Sequence, residues 1–175
     1  MKNIFVTLAI ATMLFACSDE PTTPSKTGTI SETASLTGTW TFEKQTQANG
    51  KNYVDGELES TFTAESSEET GTFQFNDEGT YGSNYGYKNT FAITAGPSEG
   101  SKETQTPPTA SGGTYVYDKT AGTITFTVFT GEVINATISE LTETSLVFTN
   151  SLTVSETNSG VTTTSTSDVT TTLSR

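Results

Sequence analysis

Apolar and polar residues alternate along most of the chain from residue 36 onward, in short runs separated by turn-forming residues. A period of two places every second side chain on the same face, as in a half-buried β-strand. No window repeats apolar residues at the three- and four-residue spacing of an amphipathic helix. Threonine is the most abundant residue and aromatic residues are plentiful, and both favour pleated sheets. The pattern predicts an all-β domain.

About eight to ten strands in meander order are predicted, with no helix between them. They cover residues 36–47, 57–65, 70–75, 81–93 (as one curved strand or two), 114–117, 123–129, 132–141, 144–154 and 161–173. Turns are predicted at Asn49-Gly50, 76–79 and 118–122. Residues 96–113, which include Pro107-Pro108, are predicted to form a long polar loop that serves as a lid or rim. This order of elements indicates a closed barrel or a sandwich.

Residues 1–16 have the form of a signal peptide that precedes a lipid site. Lys2 comes before an apolar stretch over residues 4–14, which is too short to span a membrane as a helix. The only cysteine of the chain, Cys17, follows directly. The run Leu14-Phe15-Ala16-Cys17 resembles the lipobox of bacterial lipoproteins, which implies cleavage before Cys17 and acylation of its thiol. An ordinary secretory signal with an incidental cysteine is the alternative.

Acylated Cys17 would attach the chain to a lipid bilayer of the cell envelope, and we expect a lipid anchor in the outer membrane. Residues 17–35, rich in Thr, Ser, Pro and Gly, are predicted to be the lipidated cysteine with a flexible tether. Residues 36–175 then form the barrel domain. Asp19 and Glu20 resemble the acidic export signals of surface lipoproteins, or they merely solvate the tether. The periplasmic face and the cell surface both remain open as locations.

Charge and residue usage exclude several classes of function. The formal net charge is −12 at pH 7, which argues against nucleic-acid binding because phosphates require a basic surface. The chain has no histidine, so it lacks the commonest general base and metal ligand, and a Ser-His-Asp triad is excluded. We therefore expect no metal, no cofactor and no enzymatic activity, and we expect a monomer.

The run Leu36-Thr37-Gly38-Thr39-Trp40 resembles the Gly-x-Trp start of the lipocalin and calycin barrels. The segments at 113–118, 122–126 and 138–148 resemble the later strands of the same barrels. Together with the lipobox, they make the chain similar to the lipocalin-like lipoproteins common in Bacteroidota. The resemblance implies an antiparallel up-and-down barrel of about eight strands. The Thr-Asp-Tyr motif and C-terminal helix of vertebrate lipocalins are missing, so their ligand chemistry does not carry over.

The resemblance also implies a structural pair at the end of the barrel. In that family an arginine from the last strand packs on the tryptophan of the first strand. The only arginine of the chain is Arg175, so Trp40 and Arg175 are the implied pair. The alternative is a frayed terminal arginine in water.

Five tyrosines are the candidate ligand-lining residues because an aromatic ring with a polar tip suits an amphipathic or sugar-like ligand. They are Tyr81, Tyr85, Tyr87, Tyr115 and Tyr117. Packing of the same rings into the core is the alternative. Two functions follow: a barrel that binds or carries a small hydrophobic, amphipathic or sugar-like ligand, or a filled barrel that binds polysaccharide or a partner at the cell surface. An interior cavity would favour the first function, and a closed core with an exposed aromatic patch would favour the second.

Overall fold

A computed structural model describes residues 29–96 and 99–175 of the chain. The predicted signal peptide, Cys17 and the tether up to residue 28 lie outside the described residues. In the described part, no helix is long and apolar enough to cross a membrane.

Strands account for nearly all of the described structure. They are β1 (Thr29–Ile30), β2 (Gly38–Val54), β3 (Glu57–Phe75), β4 (Thr80–Ala95), β5 (Gly100–Asp118), β6 (Thr123–Val128), β7 (Val133–Leu141), β8 (Ser145–Asn158) and β9 (Val161–Ser174). From β2 to β9, each strand pairs antiparallel with the next, and β9 returns to pair with β2. These eight strands form a closed ring. The predicted all-β, antiparallel up-and-down barrel of about eight strands is confirmed.

One end of the barrel, which we call the floor end, is tightly packed. It contains the start of β2 and the ends of β7 and β9, and its largest side chains are fully buried. These side chains are Trp40, Phe75, Ile124, Leu141, Leu146 and Leu173. We call the opposite end, where β2 and β4 finish and β3 and β5 begin, the mouth end.

Residues 29–35, which were expected in the tether, lie on the barrel instead. The short strand β1 pairs in parallel with the end of β7, and Ser31 N donates to Leu141 O at 2.8 Å. Ile30 and Ala34 pack against the core. The physical reason is that β6 pairs with β7 only up to Thr137, which leaves the edge of the last residues of β7 available to another strand.

The predicted turn at Asn49-Gly50 is wrong. Asn49 adopts a left-handed φ of 54° inside β2, where the pairing with β3 skips from Gln47 to Gly50, so the pair forms a β-bulge. The hairpin turns instead at Asp55-Gly56, with φ values of 48° and 88°. A two-residue turn with both φ values positive is the type I′ turn that Asp-Gly favours.

The predicted loop and lid over residues 96–113 is also wrong, because most of it belongs to β5. Pro107 and Pro108 lie in a bulge of β5 opposite Gly86. β6 pairs with β5 only from Gly113 onward, so residues 100–111 form a sheet edge. A proline is tolerated there because its missing N–H interrupts few hydrogen bonds between strands.

Candidate ligand-binding cavity

The hairpin of β6 and β7 is shorter than its neighbours, and this opens one side of the barrel. β6 ends at Val128 and β7 begins at Val133, whereas β5 and β8 continue toward the mouth end. Residues 100–111 of β5 therefore pair only with β4, and residues 151–158 of β8 pair only with β9. We call the opening between these two edges the lateral slot.

Beneath the slot lies a cavity of about 270 Å³, which we call the inner cavity. Its lining combines aromatic and aliphatic side chains from the barrel wall with several uncharged polar side chains. The lining residues are Gln45, Gln47, Phe73, Tyr81, Ser83, Tyr85, Tyr87, Ser111, Phe126, Val128, Ile134, Phe148, Asn150, Leu152, Val169 and Thr171. A partly apolar cavity with a few polar groups is the usual form of a small-molecule site.

A second cavity of about 390 Å³, the outer cavity, lies closer to the mouth end. Gln47 and Leu152 line both cavities, so the two are adjacent. The other residues of the outer cavity are Asn52, Phe62, Phe91, Ile93, Lys102, Thr104, Val154, Ser165 and Ser167. The two cavities together provide an elongated space inside the barrel.

Three of the five candidate tyrosines, Tyr81, Tyr85 and Tyr87, line the inner cavity. They occupy alternate positions of β4, so their side chains share its inner face. Tyr85 stacks on Tyr87 with ring centroids 6.1 Å apart and on Phe73 at 4.9 Å. Burial raises the pKa of all three hydroxyls above the ordinary tyrosine value. They are therefore neutral near pH 7 and can donate a hydrogen bond to a ligand.

The other two candidates do not line either cavity. The Tyr115 hydroxyl donates to Asn76 O at 2.9 Å, and its ring packs edge-on against Phe75 with centroids 5.2 Å apart. Tyr117 packs against the core, and its buried hydroxyl has no hydrogen-bond partner among the described residues. The structure thus assigns these two rings to the packing of the floor end.

Sequence reasoning missed the amide side chains that face the inner cavity. Gln45 is only 8% exposed, and its backbone N–H donates to Ser66 Oγ at 2.7 Å. The side chain faces inward because the pairing between β2 and β9 skips a residue after Phe42, which reverses the inner and outer faces of β2. Two consecutive charged residues, Glu43 and Lys44, interrupt the alternation at this point and are the signal that indicates the bulge.

The structural pair implied by the resemblance lies at the floor end, away from the cavities. The Arg175 guanidinium carbon is 4.1 Å from the centroid of the Trp40 ring. The same guanidinium donates to Glu143 O at 2.7 Å, to Thr37 O at 2.9 Å and to Ser35 O at 3.0 Å. The indole N–H of Trp40 donates to Leu36 O at 2.8 Å. These contacts join Arg175 to the segment that precedes β2 and to the turn between β7 and β8.

The lining of the inner cavity carries no charged side chain among the described residues, and Lys102 is the charged residue of the outer cavity. In the same part of the chain, no group of three or more acidic or other ligating side chains is arranged to hold a metal ion. The arrangement can enclose an apolar body and exchange hydrogen bonds with neutral polar groups. An interior cavity is the observation that favours a ligand-binding barrel over a filled one.

Comparison with known families gives one match. The family model described as "Lipocalin-like domain" matches residues 36–148. Searches of curated proteins and of solved structures found no match to this chain. The family match covers more than half of the chain, so the chain belongs to the lipocalin-like domain family.

Proposed function

We propose that this lipocalin-like protein binds a small, largely apolar ligand in its inner cavity and does not act on it chemically. The observation that carries the proposal is the cavity of about 270 Å³ that β4 lines with three tyrosines. A lipocalin-like domain fits a barrel that binds hydrophobic ligands. The rings of Phe73, Phe126 and Phe148 would contact the apolar part of the ligand.

The polar side chains of the inner cavity indicate which polar groups the ligand should have. The three tyrosine hydroxyls donate hydrogen bonds, while the amides of Gln45 and Asn150 both donate and accept them. A pure hydrocarbon would displace water from these groups without replacing its hydrogen bonds, so a ligand with hydroxyl or carbonyl groups is favoured. This makes the ligand amphipathic.

We further propose that acylated Cys17 anchors the barrel to the outer membrane, as in the lipocalin-like lipoproteins of Bacteroidota that the sequence resembles. The lipobox-like run at residues 14–17 supports this anchor. The barrel would act as a monomer, because its strand ring closes within one chain. Metabolic labelling with an alkyne fatty acid tests the anchor: the wild type should be labelled and Cys17→Ser should not. Equal labelling of both would refute it.

Titration with the neutral fluorescent probe N-phenylnaphthylamine tests the binding site. Ser83→Phe adds a ring to the inner cavity and should abolish saturable binding, because Ser83 is buried and lines the cavity. Asn84→Phe is the matched control, since the next residue of β4 is exposed on the outer face. Binding should survive in the control. Equal binding by the wild type and both variants, or no binding by the wild type, would refute the proposal.

A further inference from the structure

The outer cavity contains one charged group in a protein whose net charge is strongly negative. Among the described residues that line the two cavities, Lys102 alone is charged. Its backbone pairs with Phe91 of β4, whose side chain lines the same cavity. Residues opposite each other in a sheet have side chains on the same face, so the side chain of Lys102 leaves the inner face of β5.

The acidic residue nearest in sequence does not neutralise this lysine inside the barrel. Glu103 follows Lys102 directly, so it points to the opposite face of β5. There it forms an ion pair with Lys88, with Nζ and Oε2 2.9 Å apart. Lys44 is likewise paired, with the exposed carboxylate of Glu65. Lys102 forms no ion pair with a described carboxylate.

Lys102 is exposed to solvent, and apolar side chains line the outer cavity beside it. The rings of Phe62 and Phe91 pack edge to face with centroids 5.6 Å apart, and Leu152 and Val154 lie on the facing edge of the lateral slot. A lysine stem packs along such surfaces while its ammonium group stays near water. The outer cavity therefore presents a solvent-exposed cation beside an apolar surface that adjoins the inner cavity.

From this arrangement, which rests on the proposed binding function, we propose that the ligand is an anionic amphiphile. Its apolar body occupies the inner cavity and its acidic head group pairs with Lys102 beneath the lateral slot. The apolar part of the ligand must be long enough to reach from the three tyrosines of the inner cavity to Lys102. The reversed orientation would place the head group against the neutral donors of the inner cavity, among them Gln45.

Two fluorescent probes with the same aromatic skeleton test the charge selection. Anilinonaphthalenesulfonate carries a sulfonate that N-phenylnaphthylamine lacks. Lys102→Met should weaken binding of the anionic probe by about tenfold, because it removes the cation that pairs with the sulfonate. It should change the affinity for the neutral probe by less than about twofold. Lys102→Arg should retain most of the affinity for the anionic probe, because the cation remains.

The controls separate this proposal from the proposed function. Lys51→Met removes the same charge from an exposed lysine outside both cavities and should leave both affinities unchanged. If the neutral probe binds and Lys102→Met weakens neither probe, the binding function survives and the anionic ligand is refuted. If Gln45→Leu rather than Lys102→Met selectively weakens the anionic probe, the head group lies at the inner end and the proposal is wrong. If neither probe binds the wild type, both proposals fail.

Discussion

At the floor end of the barrel, Trp40, Leu141 and Leu173 are completely buried, and Arg175 covers the tryptophan ring. At the mouth end the same ring of strands leaves two adjacent cavities, and the side chains around them include glutamine, asparagine and serine. The strands are continuous from one end to the other, so secondary structure does not cause the difference. Two local features do: bulges that reverse the inner face of a strand, and the short hairpin of β6 and β7.

The two ends together show how a chain of low apolar content can fold and still enclose cavities. Complete burial of a few large side chains at the floor end stabilises the fold, because it removes apolar surface from water and packs the interior densely. The mouth end contains the two cavities and uncharged polar side chains. These contribute less to the free energy of unfolding than the buried side chains of the floor end. Substitutions at the two ends should therefore affect different properties.

The largest effect on stability is expected for Trp40→Ala. Removing a fully buried indole leaves a cavity at the floor end and should lower the free energy of unfolding by about 3–5 kcal/mol. Denaturant titration measures this loss. Under conditions where the variant is still folded, its affinity for N-phenylnaphthylamine should stay close to that of the wild type. An unchanged unfolding midpoint would show that the floor end does not carry the stability.

Arg175→Ala should have a smaller effect. It removes three hydrogen bonds to backbone oxygens and the contact with the Trp40 ring. Because Arg175 is exposed, water screens these interactions, and we expect a loss of about 1–2 kcal/mol. Arg175→Lys should recover little of it, because an ammonium group cannot reproduce the planar fork of donors. Full recovery by lysine would show that charge alone matters here.

Replacement by phenylalanine should change the free energy of unfolding in opposite directions at two tyrosines of the floor end. Tyr117→Phe removes a buried hydroxyl without a partner and should raise the free energy of unfolding by up to about 1 kcal/mol. Tyr115→Phe removes the hydrogen bond to Asn76 O and should lower it by about 1 kcal/mol. Thermal unfolding of both variants measures the pair. A loss of stability in Tyr117→Phe that equals the loss in Tyr115→Phe would contradict the assignment of an unpaired hydroxyl.

Most of the fold could be predicted from the alternation of residues, because a period of two is read directly from the sequence. The turn at 76–79 was predicted correctly, and Asn76 N donates to Thr80 O there at 2.9 Å. The turn at Asp55-Gly56 was missed, because the Asn49-Gly50 pair carries the same turn signal a few residues earlier. In the structure, Asn49 Nδ2 donates to Asp168 Oδ2 at 2.8 Å, a long-range contact that no local pattern shows.

The candidate site was harder to predict than the fold. Tyr81, Tyr85 and Tyr87 could be found because inward and outward positions alternate along β4 without interruption. Gln45 is missed when the alternation of Trp40 and Phe42 is continued without a bulge, because that places it on the outer face; the charged pair Glu43-Lys44 is the one signal of the bulge. Lys102 lies in a segment that its two prolines made look like a loop. A sheet edge tolerates those prolines, and only the tertiary structure shows which strand lies at an edge.

The most direct test of the separation between the two ends is an amide NMR titration with N-phenylnaphthylamine. The chain has a single tryptophan, so one indole N–H signal, that of Trp40, reports on the floor end. We predict saturable shifts of the backbone amides of Ser83 and Tyr85, while the Trp40 indole signal stays in place. A shift of the indole signal without shifts in β4, or no saturable shift at all, would contradict a ligand-binding cavity separate from the packed floor end.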